Sequence, residues 1–143
     1  MSSKKFTWPG RGLPRLRPAF TVLAAALIGA TVLGTGVADA HSHITHAEPA
    51  DGAVLQAGPP QVSVTFNEKV DDPELAVSGP DGNTWSVGDV HVDGRTLSVD
   101  LAPLGPAGVY TTHFTVTSKD GHRIEGQRTF TLAQPGDGTA PQQ

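Results

Sequence analysis

Six histidines, fourteen acidic side chains and no cysteine bound the chemistry open to this 143-residue chain. Without a thiol there is no disulfide, thiolate metal site or cysteine nucleophile, so imidazoles, carboxylates and a chain terminus are the candidate metal ligands. The most suggestive segment is Asp120-Gly121-His122. In an extended stretch, residues i and i+2 project from one side about 7 Å apart. An ion between them, with bonds near ~2 Å, is within reach of both side chains, and Gly121 lets the backbone bend. Taken alone, the triplet also reads as an Asp-Gly turn with an incidental histidine. His46, His91 and His113 read as surface residues. His113 alternates away from Phe114, and the other two have no second ligand nearby in sequence.

A further ligand comes from residues 1–40. Lys4, Lys5, Arg11, Arg15 and Arg17 precede an apolar run from Ala19 to Leu33, and Ala38-Asp39-Ala40 follows. The run is about 15 residues, short of the roughly 20 that span a bilayer as a helix. Basic, apolar and small-residue regions in that order predict a secretory signal peptide over 1–40, cleaved after Ala40. An uncleaved anchor is the alternative. No Arg-Arg pair occurs, which favours the general export route. No second apolar run follows, so the mature chain is expected to have no membrane span and to work in the periplasm, cell envelope or extracellular space.

Cleavage there makes His41 the new amino terminus. An α-amine and an imidazole on one residue chelate a metal through two nitrogens; the amine titrates near pH ~8, and a strong metal displaces its proton. With Asp120 and His122 the set becomes three nitrogens and one oxygen, a tetragonal preference that suits one Cu(II). Acidification should release such an ion, because protons compete for the imidazoles. A second arrangement uses His41-Ser42-His43. The amine, two deprotonated amides and the His43 imidazole form a square-planar Cu(II) or Ni(II) site without Asp120 or His122. On the sequence both stay open.

What positions these groups must be built largely from strands. Val62, Val64 and Phe66 alternate with polar residues, as do Leu97, Val99 and Leu101, and as do Tyr110, Thr112, Phe114 and Val116. Gly126–Leu132 continues the pattern, with shorter candidates at Ile44–Ala47, Leu75–Ser78, Thr84–Val87 and Asp89–Val92. Asp51-Gly52, Pro80-Asp81-Gly82, Asp93-Gly94, Gly105-Pro106 and Asp120-Gly121 punctuate them as turns. No stretch has a helical period. The expectation is an all-β, immunoglobulin-like Greek-key β-sandwich of about seven strands over 41–133, with a disordered Gly/Pro-rich tail over 134–143. Residues 41–143 carry five basic and thirteen acidic groups, a net of −8, which argues against nucleic acid as a partner.

These residues resemble the CopC family of exported copper-resistance proteins. The likeness runs from His41 to about Leu132. It rests on the expected N-terminal His41, on Glu48-Pro49-Ala50-Asp51-Gly52-Ala53, on Val62-Ser63-Val64-Thr65-Phe66-Asn67-Glu68, and above all on Ser118-Lys119-Asp120-Gly121-His122 within Tyr110–Gly126. The resemblance implies a small β-sandwich, a copper carrier rather than an enzyme, and Cu(II) ligation by His41, Asp120 and His122. Phe114 stands where the family often has Trp, and keeps the position apolar. Some members carry a Met-rich segment for Cu(I). Here the only Met is Met1, so thioether coordination of Cu(I) is not expected. Some relatives are fused to membrane segments; here a membrane copper transporter is expected as a separate partner.

Two other classes compete. A copper-dependent, polysaccharide-cleaving oxygenase also uses an N-terminal His chelate, but Asp120 would occupy a position such enzymes leave for oxygen, and only Trp85 and Tyr110 could offer a sugar-binding face. An immunoglobulin-like adhesion module with incidental histidines is the metal-free alternative. No catalytic triad, phosphate-binding glycine loop or paired-carboxylate arrangement stands out.

Overall fold

Apolar residues on every second position need a second apolar layer to cover them, and two four-stranded sheets provide it. The computed structural model describes residues 41–142, with Lys5 and Gly10; the expected signal peptide otherwise lies outside the described residues. Eight strands form: β1 (Ile44–Glu48), β2 (Ala53–Leu55), β3 (Gln61–Phe66), β4 (Asp71–Ser78), β5 (Ser86–Asp93), β6 (Thr96–Leu101), β7 (Gly108–Thr117) and β8 (Arg123–Leu132). One sheet runs β1-β3-β6-β5 and the other β2-β8-β7-β4. The strands β1 to β5 alternate between sheets, while β5-β6 and β7-β8 are hairpins within one. No helix of the described residues is long and apolar enough to cross a membrane.

The expected all-β sandwich is present, with eight strands where about seven were expected. Thr84–Val87 and Asp89–Val92 join as the single strand β5, bent at Gly88, whose φ of 73° is open to glycine. The added strand is β2, which pairs parallel to β8. It is held there by the preceding turn. Asp51 Oδ1 accepts the Thr129 N–H at 2.9 Å, and the Gly52 N–H donates to the Thr129 carbonyl at 2.7 Å.

Residues after Leu132 depart from the expected disordered tail. The Gly136 N–H donates to the Gly105 carbonyl at 2.8 Å, the Gly138 N–H to the Leu104 carbonyl at 3.2 Å, and Ala140 packs against the core. The glycines that suggested disorder make this approach possible, since a Cβ on Gly136 or Gly138 would collide with the carbonyls of Leu104 or Pro103.

Val62, Val64, Phe66, Leu97 and Val99 from one sheet meet Val77, Tyr110, Val116, Phe130 and Leu132 from the other, all buried. Each such aliphatic or Phe side chain contributes roughly 1.5–3 kcal/mol by leaving water. The Tyr110 ring stacks on Phe130 with centroids 5.3 Å apart and meets Trp85 edge-on at 6.2 Å. Its hydroxyl donates to the Pro106 carbonyl at 2.8 Å, four residues upstream. That bond satisfies a buried polar group and ties the β7 entry to the core, as the tyrosine corner of Greek-key sandwiches does. Inward packing along β7 and β8 thus fixes the hairpin whose far end carries Asp120 and His122.

Candidate metal centre

The strands β7 and β8 pair without a break from Gly108↔Leu132 to Thr117↔Arg123, so residues 118–122 close the hairpin as a tight loop. The Ser118 N–H donates to the His122 carbonyl at 2.9 Å and the Gly121 N–H to the Ser118 carbonyl at 2.9 Å. Gly121 sits at φ 86°, where a side chain would be strained. The extended geometry expected for Asp120-Gly121-His122 is therefore replaced by a turn. Asp120 and His122 still meet: Asp120 Oδ2 lies 2.8 Å from His122 Nδ1.

Ser118 is buried beneath this turn, 2% exposed. Its hydroxyl hydrogen-bonds to Asp120 Oδ1, and the His122 N–H reaches both that oxygen and the Ser118 hydroxyl at 3.2 Å. The Ser118 hydroxyl first, and the His122 ring second, hold the Asp120 carboxyl well below the usual carboxylate range. Asp120 is thus an anion over any physiological pH, as a metal ligand must be.

The strand β1 carries His41 to the same end of the sandwich. Ser42 is buried and its hydroxyl donates to Glu68 Oε1 at 2.5 Å, just beyond the end of β3. One residue on, the His43 N–H donates to Asn67 Oδ1 at 2.9 Å and the Asn67 N–H returns to the His43 carbonyl at 3.0 Å. These contacts set the His41 ring beside His122, with centroids 6.1 Å apart and planes at 38°. One ligand atom each from His41, Asp120 and His122 lies within 4.8 Å of the others, and all three residues are exposed.

The structure therefore brings His41 together with Asp120 and His122 across a separation of 79 residues. His43 is not one of that trio; its Nδ1 lies 3.3 Å from the His41 carbonyl. His46 is 3.9 Å from Glu48 and His91 is 3.7 Å from Asp100, both exposed, while His113 Nε2 meets the Ser78 hydroxyl at 3.2 Å. Sequence reasoning missed Ser42, Asn67, Glu68 and Ser118 as supports. A buried serine beside the Asp-Gly turn had a local signal, the tendency of Ser and Asp side chains to bond nearby backbone. Ser42 and Glu68 had none, since their pairing depends on the β1–β3 register. Next to His122, the Arg123 cation is neutralised by Glu125 at 2.7 Å and faces Glu74 at 3.9 Å. The Arg123 charge beside the loop is thus already paired.

Comparison with known proteins gives a consistent picture. The CopC domain family model matches residues 44–133. Protein YobA of Escherichia coli strain K12 is 31% identical over 122 residues, covering 82% of this chain and 94% of YobA. The copper transport protein CutJ of Bacillus subtilis strain 168 is 25% identical over 108 residues, 72% of this chain but 20% of CutJ. Among solved structures, CopC from Methylosinus trichosporium OB3b superposes with a TM-score of 0.58 at 28% identity, covering 65% of this chain and 94% of that one. PcoC, a methionine-rich copper resistance protein from Escherichia coli, shares the fold with a TM-score of 0.53 at 22% identity, over 64% of this chain and 98% of PcoC. With its domain matched over most of its length and its β-sandwich shared with these structures, the chain belongs to the CopC family.

Proposed function

We propose that this protein is an exported, non-catalytic copper carrier that holds one Cu(II) between His41 and the Asp120-Gly121-His122 loop. The observation that carries the reading is the convergence of His41, Asp120 and His122, with ligand atoms within 4.8 Å of one another. Cleavage after Ala40 adds the His41 α-amine, giving three nitrogens and one oxygen. That set favours Cu(II), which also stands highest in affinity among the first-row divalent ions. Copper in this role is cargo, serving resistance or transport, and a separate membrane copper transporter is the partner we infer.

Three observations support this set over its competitors. The His43 N–H is donated to Asn67 Oδ1, and the tripeptide site would have to strip that proton and break the bond. Trp85 and Tyr110 are 1% and 0% exposed, so neither can act as the flat sugar platform of a polysaccharide oxygenase. Cu(I) thioether coordination has no candidate after export, Met1 being the only methionine.

The test is a one-equivalent Cu(II) titration, followed by electron paramagnetic resonance, of the protein starting at His41 and of one with an extra glycine before it. Loss of the tight site in the extended protein is expected. Equal binding by both would exclude the terminal amine and with it this ligand set.

A further inference from the structure

Asp120 has two carboxylate oxygens, and the loop treats them differently. Oδ1 faces inward and accepts from the Ser118 hydroxyl and from the His122 N–H. Oδ2 faces Nδ1 of the exposed His122 ring at 2.8 Å. A serine hydroxyl has a single proton to donate. Of its two acceptors, the Asp120 carboxylate is nearer than the His122 carbonyl at 3.2 Å and carries the charge, so the proton goes to Asp120. The oxygen atom of the same hydroxyl then accepts the His122 N–H at 3.2 Å. One buried side chain thus touches both halves of the Asp-Gly-His turn.

We infer that Ser118 is a positioning residue for copper: it reserves Asp120 Oδ1 for the loop, leaves Oδ2 as the single oxygen donor, and sets the distance between Asp120 and His122. The inference rests on the copper reading above. Three features carry it. Ser118 is 2% exposed, so its hydroxyl has no water to turn to and its bonds within the loop are the ones that satisfy it. Its backbone is fixed by the N–H to the His122 carbonyl at 2.9 Å and by the Gly121 N–H to its own carbonyl at 2.9 Å, so the hydroxyl cannot drift from the turn. Lastly, Oδ1 already has two donors, whereas Oδ2 has only an imidazole that is itself a ligand candidate. A monodentate carboxylate follows from that inequality. Groups that hydrogen-bond to a metal ligand set its orientation and donor strength, and losing one typically costs about 10–100-fold in metal affinity.

The experiment compares Cu(II) affinity at pH 7 and the copper paramagnetic-resonance spectrum for the His41-initiated protein and its Ser118→Ala, Ser118→Thr and Asp120→Ala variants, with the metal-free melting temperature of each. Ser118→Ala is expected to stay folded, bind Cu(II) about 10–100-fold more weakly, and shift the parallel hyperfine coupling as Oδ1 becomes available to the ion. Ser118→Thr keeps the hydroxyl and is expected to restore the spectrum and most of the affinity. A Ser118→Ala protein with wild-type affinity and spectrum, beside an Asp120→Ala protein that binds weakly, would overturn the positioning role and leave the ligand set standing. Wild-type binding in Asp120→Ala would overturn both. A Ser118→Ala chain that does not fold, or a Ser118→Thr chain no better than Ser118→Ala, would mark Ser118 as a folding residue and refute the inference.

Discussion

His43 and Asn67 exchange a pair of hydrogen bonds, the His43 N–H to Asn67 Oδ1 at 2.9 Å and the Asn67 N–H to the His43 carbonyl at 3.0 Å. This clasp continues the β1–β3 pairing past its first strand residue and spends the amide proton that a terminal tripeptide copper site must remove. On the proposed ligand set the His43 imidazole should be dispensable for the tight site. His43→Ala should leave Cu(II) affinity within about threefold of wild type, well under the ~1.4 kcal/mol that a tenfold change represents, whereas His122→Ala should lose orders of magnitude. Competition titration against a chelator of known affinity reads both. A large loss in His43→Ala with none in His122→Ala would move the ion to the tripeptide.

Gly126 lies opposite Phe114 across the β7–β8 ladder, and the Phe114 ring covers it: a Cβ on Gly126 would run into Cζ. Phe114 in turn meets Phe66 of the other sheet edge-on, with centroids 5.7 Å apart. The ring has no simple escape, so Gly126→Ala should destabilise the fold by about 1–3 kcal/mol, the usual cost of overpacking. Denaturant unfolding measures it. A midpoint unchanged from wild type would show that Phe114 can shift at no cost.

The Trp85 indole N–H donates to Asp81 Oδ1 at 3.0 Å in the turn between β4 and β5. That bond, with lesser ones from Asn83, lowers the Asp81 carboxyl below its ordinary value. A carboxyl whose folded value is depressed stabilises fully above the unfolded value, near pH ~4, and loses that contribution as pH falls through the folded value. Asp81→Ala should therefore melt below wild type at pH 7, and the gap should close as pH drops below about 4. Copper affinity should not change, because this turn lies at the opposite end of the β4–β7 ladder from residues 118–122. A gap that persists at pH 2 would assign the effect to packing around Trp85 rather than to the ionised carboxylate.

Much of this architecture was legible in the sequence because it rests on periodicity, and some was not because it rests on pairing. Alternation in Val62–Phe66, Leu97–Leu101 and Tyr110–Val116 marks strands with one face on the core, and those faces are buried as expected. Ala53–Leu55 is three residues long and pairs parallel, so no alternation could develop. Its place is set by Asp51 capping Thr129 across 78 residues, a contact invisible to local reading. Gly88 looked like a break between two strands and is a bend within one. At the candidate site, His41, Asp120 and His122 could be named because ligand chemistry restricts residue type. Ser118 had only the local signal of a serine beside an Asp-Gly turn, and Ser42 and Glu68 had none, since they become supports only once the fold has buried or aligned them.

Proton competition distinguishes the donors of the proposed site. The Asp120 carboxyl is held well below the usual range by Ser118 and His122, so it stays ionised well into acid even without metal. Protons taken up when copper leaves must therefore land on nitrogen: the α-amine of processed His41 and the imidazoles of His41 and His122. Metal release coupled to ligand protonation makes log Kd fall with rising pH, with a slope equal to the protons taken up. Toward acid that slope should steepen toward three and not reach four. Cu(II) titrations between about pH 3.5 and 8 give the curve. A slope that levels off at one would remove two nitrogens from the ligand set, and a slope of four in this range would mean that Asp120 takes up a proton when the ion departs.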